Sequence, residues 1–559
     1  MHKTMDETLS RRAGARRATA ASPRAPARQP DYAGLNAFAS DPVLTASLDS
    51  TLDETTEDEL TTLGTYWGSS EAQEVARLAT AHGPALRPDD FEGRRIDQLE
   101  IHPAYHALMN RSVSAGLLSS AWEEGEDRRQ HRLRAATLFL TAQCERGHLL
   151  PISATHAAVA ALAHMPDLEA ELFPLIASRR YDRRPVPLDD KEGATVTLAL
   201  AERGAGVDRA AVAMRGEITG GDRIHVTGEK WFVCAPASDM ALVLCTTPEG
   251  PTAAMVPRFA PENAEAIRIA GLKSVGGFAA QAIAGVAFDG AAARLVGEPG
   301  RGLQVLRDVR TLTQLDAVVI AAGAMRAAVS RVAHHARYAQ SLDRALIAQP
   351  LHARVLADLA LESAAQTALA MRLAIAFDQA FERDGDHALA RLVTPAARVY
   401  ALTIAPSFAI EAVEAIGAHA AISTHPAARI ATDLAALAQW DGTTNEAALE
   451  VAAMVERDPA VLRDALDEIG ADLGGQNEDI VEDIARLGER AAQDASLART
   501  FAEQLAMAAA AAAMRRNLPR MISEAYIASR LRERFRAAYG ALDGRFDAGA
   551  VIEFVVPED

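Results

Sequence analysis

The sequence has few cysteines, and this scarcity argues against two classes of protein. Only Cys144, Cys234 and Cys245 occur in 559 residues, and no two of them form a Cys-x-x-Cys pair. Thiols with this spacing suit neither a disulfide-stapled secreted fold nor a cysteine zinc site, and they are typical of a reducing compartment. We therefore expect a cytoplasmic protein, and we predict no metal site.

Basic charge, aromatic residues and long apolar runs are also scarce. The net charge of −18 disfavours nucleic-acid binding by the surface as a whole, because phosphate binding needs clustered Lys and Arg. No run of about eighteen uncharged apolar residues stands out, so we predict no membrane span. The sequence also lacks a Gly-x-Ser-x-Gly elbow and a P-loop, which argues against serine hydrolases and phosphoryl transfer.

The hydrophobic pattern changes period along the chain and predicts an α+β, mainly α, fold. Arginines among Ala, Ser and Pro indicate a disordered basic tail at the N-terminus. Apolar residues then recur at helical spacing, give way to alternating strands rich in Val and Thr, and return to helical spacing. We predict a tail at 1–30, a helical domain at 31–185, a β-domain at 186–298, a helical bundle at 299–456 and a helical extension at 457–559.

Two short sequence motifs stand out within this predicted order of domains. Residues 228–239 read Gly-Glu-Lys-Trp-Phe-Val-Cys-Ala-Pro-Ala-Ser-Asp in a strand-rich stretch, and residues 440–445 read Trp-Asp-Gly-Thr-Thr-Asn after a helical one. Their order and setting resemble the acyl-CoA dehydrogenase superfamily. Shorter phrases at 35–42, 102–106, 121–124, 256–259 and 394–397 narrow the resemblance to its AidB-like, alkylation-response branch. The resemblance covers roughly residues 35–455.

The resemblance implies an acyl-CoA dehydrogenase-like architecture and an activity. The expected fold is an N-terminal helical bundle, a middle β-barrel domain, a helical bundle and an extra C-terminal helical domain. The expected reaction is FAD-dependent oxidation of an acyl thioester, in which an α-proton is removed and a β-hydride moves to the flavin. The expected assembly is a homo-oligomer, either a tetramer or a dimer.

The resemblance also assigns site residues. Asp441 stands where family members commonly carry the glutamate that removes the α-proton. Aspartate has one methylene fewer and reaches less far, so a weak base, a base for a repositioned substrate and a loop residue that stabilises Gly442 all remain open. Weak or vestigial activity of the protein is an open alternative as well. The predicted cofactor-binding residues are Glu202, Gly206, Trp231, Phe232, Val233, Trp440, Gly442, Thr443 and Asn445.

Three family elements that hold the adenine and pyrophosphate of FAD are altered here. The stretch 339–343 lacks the family's Arg, Phe and Gly, the stretch 417–421 retains only its first glycine, and an Arg-acid pair becomes Thr432-Asp433. A pyrophosphate needs cationic or backbone donors. FAD occupancy is therefore in doubt, and a flavin-free scaffold protein is an alternative interpretation.

A second alternative is an AidB-like, nucleic-acid-associated protein. The segment 515–536 is rich in arginine, and the residues we assign to nucleic-acid contact are Arg530, Arg532, Arg534 and Arg536. The competing interpretations are a solvated helix face, an intersubunit face that meets an acidic surface, and an intramolecular partner for the acidic run at 478–489.

Overall fold

The computed structural model describes residues 29–48, 52–123, 130–204, 211–341, 343–382, 388–532, 539 and 546–558. The first 28 residues of the predicted tail lie outside the described residues, and so do Gly206, Arg534 and Arg536. The architecture follows the predicted order of helices, strands and helices, which confirms the fold class.

The N-terminal part is helical, with one hairpin that the periodicity missed. Its helices are α1 Pro42–Ser47, α2 Glu54–Trp67, α3 Ser70–Ala81, α4 Pro103–Ser114, α5 Gln130–Ala142, α6 Leu149–Leu162 and α7 Pro166–Ala177. Strands β1 (Ala85–Asp89) and β2 (Arg95–Glu100) pair antiparallel between α3 and α4. Both strands are short and largely exposed, so they carry no alternating apolar pattern that would reveal them.

The middle part is a small β-barrel. Its strands are β3 Val196–Ala199, β4 Arg215–Gly220, β5 Arg223–Cys234, β6 Met240–Thr247, β7 Gly250–Pro257, β8 Ile267–Leu272 and β9 Ile283–Val296. The pairing runs β6–β4–β5–β9–β7 and returns to β6, while β3 and β8 add to β6 and β9. Ile224, Val226, Val286 and Phe288 are buried in its own apolar core.

The second helical bundle is built around one long central helix. Its helices are α8 Gly302–Tyr338, α9 Pro350–Glu382, α10 Thr394–Ile416, α11 Pro426–Leu437 and α12 Thr444–Arg457. A two-residue hairpin (β10 Gln340–Ser341, β11 Arg344–Ala345) follows α8, and a π-helical turn at Leu389–Val393 leads into α10. Asp316 of α8 accepts bonds of 2.6 and 2.8 Å from buried Arg134 of α5, which ties the two helical parts together.

The C-terminal part packs against this bundle. It comprises α13 Pro459–Leu473, α14 Glu478–Ala491, α15 Ala498–Asn517, α16 Arg520–Tyr526, a π-helical turn at Ile527–Arg532, and α17 Ala548–Val555. Residues 508–513 of α15 are all alanine and all buried. These small side chains let α9, α10 and α12 pack closely on α15, which explains why so few aromatic residues are needed in the interior.

Within the part of the chain that the structure describes, two helices have the length and composition expected of a membrane crossing, Gly302–Tyr338 and Leu389–Ile416. The apolar window of the first is entirely buried inside the protein, and half of that of the second is buried. Core helices of soluble proteins pass the same test, so these two are weak evidence for a membrane span, and our expectation of none stays a prediction.

Candidate active site

A cavity of about 360 Å³ lies where the β-barrel meets the second bundle. The barrel contributes Leu198, Leu200, Phe232 and Cys234, and the bundle contributes residues 439–443. Burial raises the pKa of the Cys234 thiol to about 12, so this side chain stays neutral and extends the apolar wall. The remaining lining is mainly apolar: Leu150, Ala154, Ala201, Ala211, Val212, Leu244, Val275, Phe278, Ile283, Leu306 and Ala436, with Glu202 and Glu446.

The bundle wall is a tight loop between α11 and α12. Asp441 and Gly442 both have positive φ angles, 54° and 97°, which aspartate tolerates better than most residues and glycine adopts freely. Thr443 then caps α12, since its hydroxyl accepts the amide of Glu446 while the Glu446 carboxylate accepts the amide of Thr443. Residues 440–443 therefore form a turn that places Asp441 just before the start of α12.

Arg398 of α10 holds this loop from behind, and sequence reasoning missed it. Its guanidinium donates to the carbonyls of Trp440 at 2.8 Å, Gly442 at 2.7 Å and Thr443 at 3.1 Å. The side chain is fully buried, so these charge-assisted bonds form away from solvent. Arg398 thus fixes the backbone that carries Asp441.

The carboxylate of Asp441 faces helix α8. Its Oδ2 accepts a hydrogen bond of 2.6 Å from the hydroxyl of Thr313. Arg310, one turn earlier on the same helix face, places its Nε 4.0 Å from the same oxygen. Arg310 also donates from Nη1 to Glu450 of α12 at 3.1 Å. Asp441 is thus held at the cavity wall by two residues of α8.

The barrel wall differs from our expectation at one position. Phe232 and Cys234 line the cavity, and Val233 is buried in the barrel core. Trp231 is absent from the lining; cations lie over its ring instead, Arg203 at 4.0 Å and Lys273 at 3.2 Å from the ring centroid. Trp231, one of the predicted cofactor-binding residues, therefore lies outside the lining of this cavity. A bulge between residues 230 and 233 of β5 changes which side chain faces the bundle.

Two further predicted residues are engaged in structural contacts. Glu202 lines the cavity, but its carboxylate accepts from Lys230 at 2.5 Å and from the amides of Ala213 and Met214. Burial lowers the pKa of Lys230, and the Glu202 carboxylate opposes that shift. Asn445 is exposed outside the cavity lining and accepts from Arg499 at 3.0 Å. Three of the predicted cofactor-binding residues, Trp440, Gly442 and Thr443, line the cavity, and their contact with a cofactor stays a prediction.

The altered adenine and pyrophosphate elements have other roles in this chain. Asp433 forms a buried ion pair of 2.8 Å with Arg146 and accepts the amide of Phe278. Arg337, which lies near the altered 339–343 stretch, donates to the carbonyl of Val556 at the C-terminal helix. Arg344 lies exposed in the β10–β11 hairpin. None of the described residues that line the cavity is Lys or Arg.

The arginines proposed for nucleic acid are engaged internally where they are described. Arg530 is largely buried and binds Glu362 at 2.9 Å and Asp358 at 2.7 Å. Arg532 binds Asp479 at 2.7 Å, so the acidic run at 478–489 is one of its partners. The structure does not support a phosphate contact by Arg530, because its charge is already neutralised by two carboxylates.

A second cavity of about 690 Å³ lies on the other side of Arg310. Its apolar lining includes Trp122, Leu312, Phe377 and Met454, and its rim carries Arg307, Arg391 and Arg457. Leu306 and Thr311, which flank Arg310 on α8, line the first and the second cavity respectively. Arg310 therefore lies between the two cavities, with Asp441 on one side and Glu450 on the other.

Comparison with known proteins agrees with this architecture. Residues 27–183 match the adaptive response protein AidB N-terminal domain, and residues 300–455 match the acyl-CoA dehydrogenase C-terminal domain. The putative acyl-CoA dehydrogenase AidB of Escherichia coli (strain K12) is 32% identical over 452 residues, which is 80% of this chain and 83% of that protein.

Solved structures agree on the fold. Caenorhabditis elegans ACDH-11 in complex with C11-CoA superposes with a TM-score of 0.80 at 20% identity, covering 96% of this chain and 93% of that one. An acyl-CoA dehydrogenase complexed with FAD from Bacillus anthracis gives a TM-score of 0.66 at 14% identity, with 89% and 86% covered. The chain belongs to the acyl-CoA dehydrogenase family, in its AidB-like branch.

Proposed function

We propose that this protein is a cytoplasmic, FAD-dependent acyl-CoA dehydrogenase-like oxidoreductase whose substrate is an acyl thioester and whose base is Asp441. The observation that carries the proposal is the position of the Asp441 carboxylate. It lies on the wall of an apolar cavity, held by Thr313 at 2.6 Å, on a loop whose carbonyls bind Arg398.

The first cavity suits the ring system of a flavin. Its volume falls within the range of about 300–1,000 Å³ that is usual for small-molecule sites, and its walls are mainly apolar. Phe232 and Trp440 contribute aromatic surface, while Gln439 and Thr443 contribute polar atoms. The family includes a member of similar fold that was solved with FAD. We therefore assign the ring half of FAD to this cavity, and we expect weak retention because no described lining residue supplies a cation to the pyrophosphate.

Asp441 acts on the substrate's α-carbon in this proposal. Its carboxylate takes the α-proton, and the apolar surroundings exclude water from the reacting carbons. FAD, when bound, supplies the acceptor for the β-hydride. Thr313 fixes the carboxylate by its hydrogen bond, and Arg398 fixes the loop, so the base is oriented before substrate binds.

The second cavity suits the apolar part of the acyl chain. Trp122, Leu312, Phe377 and Met454 give it an apolar lining on the far side of Arg310 from the first cavity. One protein of similar fold was solved with C11-CoA, which makes a medium-length acyl thioester the first substrate to test.

The experiment is anaerobic reduction of the FAD-loaded protein by a series of straight-chain acyl-CoA thioesters, followed by the loss of flavin absorbance. We expect reduction by the wild type and none by Asp441→Asn, with the flavin spectrum of the variant retained. Asp441→Glu is the matched variant, because it keeps a carboxylate and restores the family's residue. An unchanged rate of flavin reduction in Asp441→Asn would rule out Asp441 as the base.

We also propose that the protein forms a homo-oligomer. Large apolar side chains are exposed at Tyr338, Leu351, Ile410 and Ile422, all in or beside the second bundle. A contiguous exposed apolar patch marks an interaction site in a soluble protein, and these four side chains are the candidates for one. Size-exclusion chromatography with light scattering tests the assembly, and Ile410→Glu should lower the measured mass if α10 lies in the interface.

A further inference from the structure

A third cavity, of about 850 Å³, lies between the N-terminal part and the β-barrel. The β1–β2 hairpin, helix α4, the linker between α7 and β3, and the barrel supply its walls, and none of its described lining residues lines the first or the second cavity. The hairpin is fastened to strand β8, because Arg95 donates to the carbonyl of Ile269 and Asp97 accepts the amide of the same residue. A cleft of this volume between two parts of a protein accommodates a small molecule.

Each described carboxylate that lines this cavity already has a partner. The five acidic lining residues and their partners are Asp90 with the amides of Glu92 and Arg94, Asp97 with Arg95, Glu100 with Arg87, Asp182 with Arg184, and Asp239 with Lys191. Two lining cations, Arg183 and Arg258, have no carboxylate partner among the residues that the structure describes. The lining therefore carries two positive charges that no neighbouring carboxylate neutralises.

Arg183 belongs to an arginine-rich linker whose other arginines are paired. Residues 179–184 read Arg-Arg-Tyr-Asp-Arg-Arg. The paired ones are Arg179 with Glu123 at 2.9 Å, Arg180 with Glu192 at 2.7 Å and Arg184 with Asp182 at 2.6 Å. Burial is the main cause that lowers the pKa of the lining residue His106 to about 4, and the charge of Arg183 adds to that shift. The positive charge of Arg183 is therefore felt at the cavity wall.

Arg258 follows strand β7 on the barrel side of the cavity and is half-buried. Its Nη1 donates to the carbonyl of Ile267 at a long 3.5 Å, and its Nε is buried without an acceptor. Its Nη2 is not enclosed and has no acceptor within the described part of the chain. Burial lowers the pKa of Arg258, and the charge of Asp97 opposes that shift. A half-buried guanidinium of this kind is stabilised by an anion that enters the cavity.

We propose that this cavity binds a small dianionic molecule, a phosphate monoester or a dicarboxylate, whose charge is balanced by Arg183 and Arg258. Two unneutralised cations match two negative charges, and guanidinium groups bind phosphate and carboxylate oxygens through paired N–H donors. Met109 and Phe259 supply apolar surface for the body of the ligand. The inference goes beyond the proposed oxidoreductase function and depends on neither the flavin nor the proposed base.

A ligand in this cavity would join two parts of the molecule. Arg183 belongs to the linker that leaves the N-terminal helices, and Arg258 belongs to the barrel. A dianion that attracts both cations would hold the linker against the barrel. Because it binds the folded protein and not the unfolded chain, it should raise the melting temperature as its concentration rises.

The experiment is calorimetric titration of the full-length protein with phenyl phosphate and, separately, with phthalate. Benzyl alcohol is the neutral probe of similar size. We expect saturable binding of at least one dianion and none of benzyl alcohol, and the tighter of the two dianions identifies the preferred group. Arg258→Gln should weaken that binding about 10-fold or more, since it removes charged hydrogen-bond donors. Arg183→Gln should weaken it about 3-fold, because its side chain is exposed to solvent screening.

Arg180→Gln is the matched control, because it removes one positive charge from the same linker but from a side chain outside the lining, paired with Glu192. It should bind as the wild type does. Thermal melts identify any unfolded variant, and Arg183→Gln, at an exposed position, carries the test if Arg258→Gln is unfolded. Three results would overturn the proposal: no saturable binding of either dianion up to about 10 mM, equal affinity of the wild type and the folded Arg183 and Arg258 variants, or equal weakening by Arg180→Gln.

Discussion

Thr313 donates a hydrogen bond of 2.6 Å to the carboxylate of Asp441, and this contact joins the central helix to the loop that carries the proposed base. The family resemblance assigns the base position to Asp441, and the fold brings the Thr313 hydroxyl to its carboxylate. Their contact explains how an aspartate, with its short side chain, is held at the cavity wall.

Removing the Thr313 hydroxyl should slow the reaction while leaving the fold intact. Thr313→Val keeps the shape of the side chain but leaves Asp441 Oδ2 without this donor, so the carboxylate loses its fixed orientation. We expect flavin reduction about 10-fold slower, given that small misplacements cost up to about 100-fold. Stopped-flow absorbance measures the rate. Thr432→Val removes an exposed hydroxyl on α11 and should leave the rate unchanged; equal rates in the two variants would contradict the prediction.

Arg398→Lys should destabilise the protein. Lysine keeps the charge but cannot reach the carbonyls of Trp440, Gly442 and Thr443 together, and bonds to charged groups contribute about 1.5–3 kcal/mol each. We expect the free energy of unfolding to fall by about 2–4 kcal/mol. Urea unfolding measures it. Arg463→Lys, on an exposed face of α13, should change it by less than about 0.5 kcal/mol.

Of the four arginines assigned to nucleic-acid contact, the two that the structure describes, Arg530 and Arg532, should behave differently. Arg530→Met leaves Asp358 and Glu362 buried without their cation, and we expect a loss of about 3–5 kcal/mol in the free energy of unfolding. Arg532→Met breaks a half-exposed pair with Asp479 and two hydrogen bonds to Gln476 and Asn477, and the loss should stay within about 1 kcal/mol. Urea unfolding of both variants is the measurement. A small loss for Arg530→Met would show that its charge is not structural and would revive a role in nucleic-acid binding.

His425 should contribute to the acid sensitivity of the fold. Burial is the main cause that lowers its pKa to about 4, from 6.5 in the unfolded chain. Below pH 6.5 the unfolded chain therefore binds a proton that the folded protein resists. The stability contributed by the neutral imidazole is complete above that pH and is lost as the pH falls towards 4.

The matched variant is His425→Asn. Asparagine keeps a side-chain acceptor for the amide of Ala427, which the imidazole now caps, but it does not titrate. Melting temperatures of the wild type and the variant, compared at about pH 7 and about pH 5, should show a smaller drop in the variant. An identical drop in both proteins would exclude His425 as a contributor.

How much the sequence reveals differs between elements for physical reasons. The loop at 440–443 is recognisable because its turn and cap chemistry is local. Arg398 carries no local signal, since its three carbonyl partners lie more than forty residues away. Of the predicted pair Trp231 and Phe232, only Phe232 lines the cavity, because a β-bulge between residues 230 and 233 shifts the side-chain alternation along β5. In the sequence, Arg530 looks like an ordinary surface charge, because its two carboxylate partners, Asp358 and Glu362, lie on the distant helix α9.

The central claim is that the cavity between the barrel and residues 439–443 binds a flavin, and its most direct test is an FAD titration followed by absorbance and flavin fluorescence. We predict saturable binding with a perturbed visible spectrum, abolished in Leu200→Trp, whose larger side chain fills the cavity. Absence of saturable binding by the wild type, or equal binding by Leu200→Trp, would contradict the account.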